Sequence, residues 1–124
     1  MCGIAGIVAY GRAAPSPDEG ELLRIRDAMA ARGPDGAGVW REPEGRVVLG
    51  HRRLAIIDVT DASAQPMVSD DGRYAVVYNG EIYNFRSLRA ELVAEGVAMR
   101  TSGDTEVLLH LFRRHGEGVV DRLE

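Results

Sequence analysis

The chain has 124 residues, 45% hydrophobic and 27% charged, the profile of one ordinary globular domain with a single core. A formal net charge of -4 argues against a nucleic acid or an anionic membrane as partner, because both select a basic surface. The one cysteine excludes an internal disulfide and fits a reducing, cytoplasmic setting, and the apolar opening stretch has neither the basic lead of a signal peptide nor the length of a membrane span.

From the N-terminus, Gly3-Ile-Ala-Gly-Ile-Val-Ala-Tyr10 is apolar and too short for a helix, and reads as a buried strand. A loop over 11–17 follows, then residues 18–31 fit a helix: acids fill its first turn, Leu22, Leu23, Ile25 and Met29 supply an apolar face, and Gly33-Pro34 stops it. Residues 36–40 and 46–49 flank Glu42-Pro-Glu-Gly45 and read as a hairpin. Leu54-Ala-Ile-Ile-Asp-Val59 reads as another buried strand, leading into a polar loop through Gln65-Pro66. After the Asp70-Asp-Gly72 turn, Tyr74-Ala-Val-Val-Tyr78 is the next strand, ending at Asn79-Gly80. Asn84 is placed to cap a helix that reaches Glu95, with Leu88 and Leu92 on one face and Gly96 at its end. Residues 104–115 fit a last helix with Val107, Leu108, Leu111 and Phe112 on one face and Arg113-Arg-His115 at the C-terminal end of its dipole. This order of elements is α+β without βαβ alternation. The chain stops in mid-pattern at Val119-Val-Asp-Arg-Leu-Glu124, which reads as a fragment.

Cys2 is the first residue with chemical promise. Removal of Met1 leaves a thiol and a free α-amine on one residue, a nucleophile with its own base. An α-amine of pKa ~7.7–8.0 is roughly 10–15% unprotonated at pH 7, so it suits proton transfer without special burial. Asn79-Gly80 has two readings. It is either a hairpin turn or an oxyanion hole built from the Asn79 amide and the Gly80 N–H. Arg52 and Arg53 are either a solvated pair or the source of a bidentate carboxylate clamp. Asp104 favours a helix N-terminus and could equally meet a substrate ammonium, as could Glu81. A cation for one end, anions for the other and a nucleophile between them are the parts an α-amino acid amide needs.

Met1-Cys-Gly-Ile-Ala-Gly-Ile7, Arg32-Gly-Pro-Asp-Gly36, His51-Arg-Arg-Leu-Ala-Ile-Ile-Asp58, Gln65-Pro66, Tyr78-Asn-Gly-Glu-Ile-Tyr-Asn84 and Ser102-Gly-Asp-Thr-Glu-Val107 occur in that order. Together they resemble the N-terminal glutaminase domain of glutamine-hydrolysing asparagine synthetases, class II amidotransferases of the N-terminal-nucleophile hydrolase fold. The resemblance implies one domain over 1–124, a four-layer αββα sandwich truncated at its C-terminus, with the second sheet incomplete. It makes Cys2 the nucleophile and Arg53 the holder of the glutamine carboxylate. Leu54, Ala55, Ile56 and Ile57 become the strand lining the pocket, Asn79 and Gly80 the oxyanion hole, and Glu81 and Asp104 the groups facing the ammonium. Arg32 and Asp35 fall in a motif that shapes the site or simply turns the chain after a helix. No metal or cofactor is implied for the glutaminase half, and Mg-ATP belongs to an absent synthetase domain. The implied partners are L-glutamine and that domain, and a homodimer is compatible. Ala31 departs from the histidine of many relatives.

Two rival readings remain. The same domain could feed ammonia to another carboxylate acceptor, which only downstream sequence would reveal. Alternatively, it could bind glutamine without turnover, which retention of Met1 would favour because the α-amine would stay blocked.

Overall fold

The turn at Glu42-Pro-Glu-Gly45 organises the first sheet in the computed structural model, which describes residues 1–124. Gly45 takes a φ of +72°, which its missing Cβ permits, and its N–H donates to the Glu42 carbonyl at 2.8 Å. The Glu42 carboxylate accepts from the Arg46 N–H at 3.0 Å, so the turn is closed from both sides. It joins β2 (Gly36–Arg41) to β3 (Val47–Arg53) in antiparallel register, with Gly36 opposite Arg53. β1 (Gly3–Val8) pairs antiparallel with the other edge of β3, Gly3 facing Arg52, and the sheet order is β1-β3-β2.

α1 (Glu19–Ala28) covers this sheet. Asp18 caps it by accepting from the Gly20 N–H at 2.8 Å, and Leu22 is fully buried where Gly50 of β3 leaves room for it. Met29 rests on Gly3, where even one added Cβ would come within 2.9 Å of its side chain. The helix ends three residues short of the expected Ala31, and the chain continues in turns to Arg32. Ile25, expected on the apolar face, is 44% exposed. Residues 64–66 and 77–79 cluster with residues 1–55 in this first compact unit.

The second unit comprises 56–63, 67–76 and 80–124. Its two-stranded ribbon, β4 (Met67–Val68) with β5 (Ala75–Val76), turns at Gly72, which has a φ of +68°. α2 (Phe85–Ala94) ends where Gly96 takes a φ of +89°. α3 (Asp104–His115) has the expected bounds, and a 3-10 segment follows over Gly116–Arg122. Leu88 and Leu92 of α2, with Val107, Leu109 and Leu111 of α3, are the buried apolar side chains of the helix pair. Burying side chains of this size stabilises by roughly 1.5–3 kcal/mol each before chain entropy is counted. The architecture is α+β, and no helix is long and apolar enough to cross a membrane.

Four expectations are corrected. Residues 54–59 form no strand: β3 ends at Arg53, and Ile56 and Val59 are each 74% exposed. The reason lies in Asp58, whose carboxylate takes the Thr60 N–H at 2.9 Å and folds the backbone into an Asx turn. Of residues 74–78 only Ala75 and Val76 pair as a strand. Asn84 stands at the N-cap of α2 but makes no side-chain cap bond. Its amide donates to the Arg122 carbonyl at 2.8 Å and accepts from the Glu124 N–H at 3.2 Å, tying down the C-terminal segment. On α3, Leu109 is buried where Leu108 was expected to be, and Phe112 is 40% exposed, resting edge-on against Tyr74 with ring centroids 6.0 Å apart.

Candidate active site

The register of β1 and β3 brings the start of one strand to the end of the other. Gly3 faces Arg52, so Cys2 stands beside the exit of β3 at Arg53 and Leu54. The Leu54 N–H donates to the Cys2 Sγ at 3.4 Å, and the thiol points back at the Leu54 carbonyl at 3.7 Å. The sulfur is therefore oriented by backbone, on a half-buried residue.

The Arg32-Gly-Pro-Asp-Gly36 turn braces the same corner. The Asp35 N–H donates to the Arg53 carbonyl at 2.9 Å, and the Asp35 carboxylate accepts from the Ala55 N–H at 2.9 Å. Arg32 Nε reaches the Cys2 carbonyl at 3.5 Å. Gly33 lies flat on the Arg52–Arg53 peptide, where a Cβ would overlap the backbone. This motif thus turns the chain after α1 and also holds residues 53–55.

Asn79, in the same unit, is exposed. Its hairpin reading is overturned: its φ is negative, whereas a type I′ turn needs positive values, and the chain runs on to α2 instead of a partner strand. The Tyr78 N–H, next to it, donates to Gln65 Oε1 at 2.6 Å. Burial pushes the His51 imidazole below its usual pKa; the facing Tyr78 backbone opposes this and Arg53 adds to it.

Ile56, Ile57, Gly80, Glu81 and Asp104 belong to the second unit. Gly80, Glu81, Ile56 and Ile57 are exposed, whereas Asp104 is buried at the start of α3. The Ile82 N–H donates to Asp104 Oδ2 at 3.2 Å, which fixes Asp104 beside the residue that follows Glu81.

Two carboxylates missing from the sequence expectation hold the loop before Asp104. Glu106, fully buried, accepts from the Arg100 N–H at 2.9 Å, the Thr101 N–H at 2.7 Å and the Thr101 hydroxyl at 2.8 Å. Burial alone would raise its pKa, but these bonds and Arg100 together bring it below the usual carboxylate value. Asp58 accepts from the Thr60 hydroxyl at 2.6 Å, and from the Ser102 N–H and hydroxyl at 2.8 and 2.9 Å. Those partners, the Thr60 hydroxyl foremost, hold its carboxyl far below the ordinary range. The available signal for Glu106 was its place at the third helical position, where an acid reaches back over the helix start.

The whole sequence, residues 1–124, matches the family described as glutamine amidotransferase domain. Among curated proteins it is 39% identical to asparagine synthetase [glutamine-hydrolyzing] 3 of Bacillus subtilis, covering 99% of this chain and 20% of that protein. It is 40% identical to asparagine synthetase [glutamine-hydrolyzing] 1 of the same organism, covering 99% of this chain and 19% of that one. For the asparagine synthetase [glutamine-hydrolyzing] of Brassica oleracea the identity is 36%, over 100% of this chain and 20% of the relative. The chain therefore spans about a fifth of the length of the relatives it matches.

Proposed function

The chain belongs to the glutamine amidotransferase domain family, and on that premise we propose that it hydrolyses L-glutamine to L-glutamate and ammonia through Cys2. The observation that carries this reading is the Cys2 sulfur held between the N–H and carbonyl of Leu54, beside Arg53 at the mouth of β3. Met1 is removed first, which frees the α-amine. The sulfur then attacks the side-chain amide carbon while the α-amine takes the thiol proton. Asn79 and the Gly80 N–H receive the developing oxyanion. The α-amine returns its proton to the leaving ammonia, and water hydrolyses the γ-glutamyl thioester.

Arg53 pairs with the substrate carboxylate, and Asp104 with Glu81 receives its ammonium. Leu54, Ala55, Ile56 and Ile57 line the pocket as an irregular segment, and the exposure of Ile56 and Ile57 supports that role. Residues 1–124 form part of a four-layer αββα sandwich of the N-terminal-nucleophile type. The names of the relatives support a synthetase domain elsewhere in the protein that uses this ammonia, with Mg-ATP, to convert aspartate to asparagine.

The test is Cys2→Ala in the full-length protein. Glutamine-dependent synthesis and glutamate release are lost, while synthesis from free ammonia persists. Glutamate release that survives in the variant sinks the proposal.

A further inference from the structure

Gln65 lies in a polar loop with no catalytic group of its own, yet its two ends are both committed. Its backbone carbonyl sits directly on Gly38 of β2, so closely that any Cβ there would overlap it. Gly38 is in register with His51 of β3, whose ring is 1% exposed. That ring faces the Tyr78 backbone. The side chain of Gln65 holds the Tyr78 N–H, its Oε1 accepting at 2.6 Å.

Tyr78 lies two residues beyond the end of β5, so no sheet ladder serves its N–H. An unpaired backbone N–H in this half-buried setting would be destabilising, and Gln65 supplies its acceptor. Segments 64–66 and 77–79 are both parts of the unit that carries Cys2, although the chain between them is not. The hydrogen bond from Tyr78 to Gln65 joins these two segments.

We propose that Gln65 is a positioning residue for the oxyanion pocket: by gripping the Tyr78 N–H from the surface of the β1-β3-β2 sheet, it sets the place of Asn79. This inference rests on the glutaminase reading. It makes Gln65 matter to turnover more than to glutamine affinity, because the grip acts on the backbone next to Asn79, the group assigned to the oxyanion.

The experiment compares Gln65→Met and Gln65→Glu in the full-length protein. Methionine keeps the length and removes the acceptor; glutamate keeps an oxygen at the same reach. Deleting an oxyanion donor costs about 10²–10³ in kcat, so displacing one predicts a fall of roughly 10- to 100-fold for Gln65→Met. Its glutamine KM stays within about two-fold, and Gln65→Glu stays within a few-fold of wild type in kcat. Glutamine binding measured by calorimetry in the Cys2→Ala background is unchanged by adding Gln65→Met. If Gln65→Met does not fold, Gln65→Asn, one methylene shorter and still polar, takes its place with the same expected split. A raised KM with unaltered kcat, an equal loss in Gln65→Glu, or no loss at all overturns the inference. Cys2→Ala separates the two levels. If it stays active, the glutaminase reading itself fails; if it is inactive and Gln65→Met is normal, only the role of Gln65 fails.

Discussion

Glu106→Gln changes one atom in a fully buried side chain and should loosen the loop that leads to Asp104. In the native protein one carboxylate oxygen serves Arg100, through its N–H at 2.9 Å and its Nε at 3.3 Å. The other serves the N–H and hydroxyl of Thr101, at 2.7 and 2.8 Å, and shares the Arg100 N–H at 3.1 Å. An amide has one oxygen, so whichever way it lies an NH2 group faces donors. Turning the oxygen to Thr101 keeps the two shorter bonds but makes them neutral, a loss of about 1 kcal/mol each. It also costs the Arg100 N–H its shorter bond at 2.9 Å and leaves it the one at 3.1 Å to the retained oxygen, a further loss of up to about 1 kcal/mol, while the half-exposed Arg100 side chain turns to water. The sum is about 2–3 kcal/mol, a large share of the 5–15 kcal/mol typical of a domain. Native-state hydrogen exchange in the full-length protein reads this directly: amides of residues 100–103 lose about two orders of magnitude of protection. Unchanged protection there, together with an unchanged urea midpoint, would refute this account of the loop.

Acid should act on the same loop. Glu106 and Asp58 both have pKa values lowered from 4.5 and 3.8, so their stabilisation is full above those ordinary values. It drains away as pH falls through the lower folded values, because the unfolded chain binds protons first. Urea midpoints followed downward from about pH 5 should therefore fall, and Asp58→Asn should flatten that fall while lowering the midpoint at neutral pH. A profile in Asp58→Asn as steep as wild type contradicts the assignment. Gly33→Ala should destabilise by about 3 kcal/mol or more, since its Cβ meets backbone that cannot step aside, and thermal unfolding checks this. Asn84→Ala should cost about 1–2 kcal/mol and raise hydrogen exchange in 116–124 more than in the first turn of α2, the reverse of a lost helix cap.

Where chain-local chemistry decides structure, the sequence was readable. The β2–β3 hairpin follows from Glu42-Pro-Glu-Gly45, and α3 from an acidic start, an apolar face and a basic end. Residues 54–59 misled because an apolar, β-branched run resembles a buried strand, yet a strand needs a neighbour and Asp58 bends the backbone instead. Conversely, His51-Arg-Arg53 is polar and still extends β3, because β1 and β2 supply ladders on both sides. The candidate site divides along the same line. Cys2, Arg53 and Asp104 were legible as residue types at chain positions suited to them. Asp58, Asp35 and Gln65 act by accepting backbone N–H groups from distant segments, and no periodicity encodes such partners.

The central claim is that the Cys2 thiol, freed of Met1, forms a covalent bond to substrate. Acid quenching of the full-length protein during glutamine turnover, then peptide mapping by mass spectrometry, tests it most directly. The account predicts an N-terminal peptide that begins at Cys2 and carries one γ-glutamyl group, and that group is released by hydroxylamine. Steady glutamate production by a protein whose Cys2 peptide stays unmodified, or still bears Met1, would contradict it.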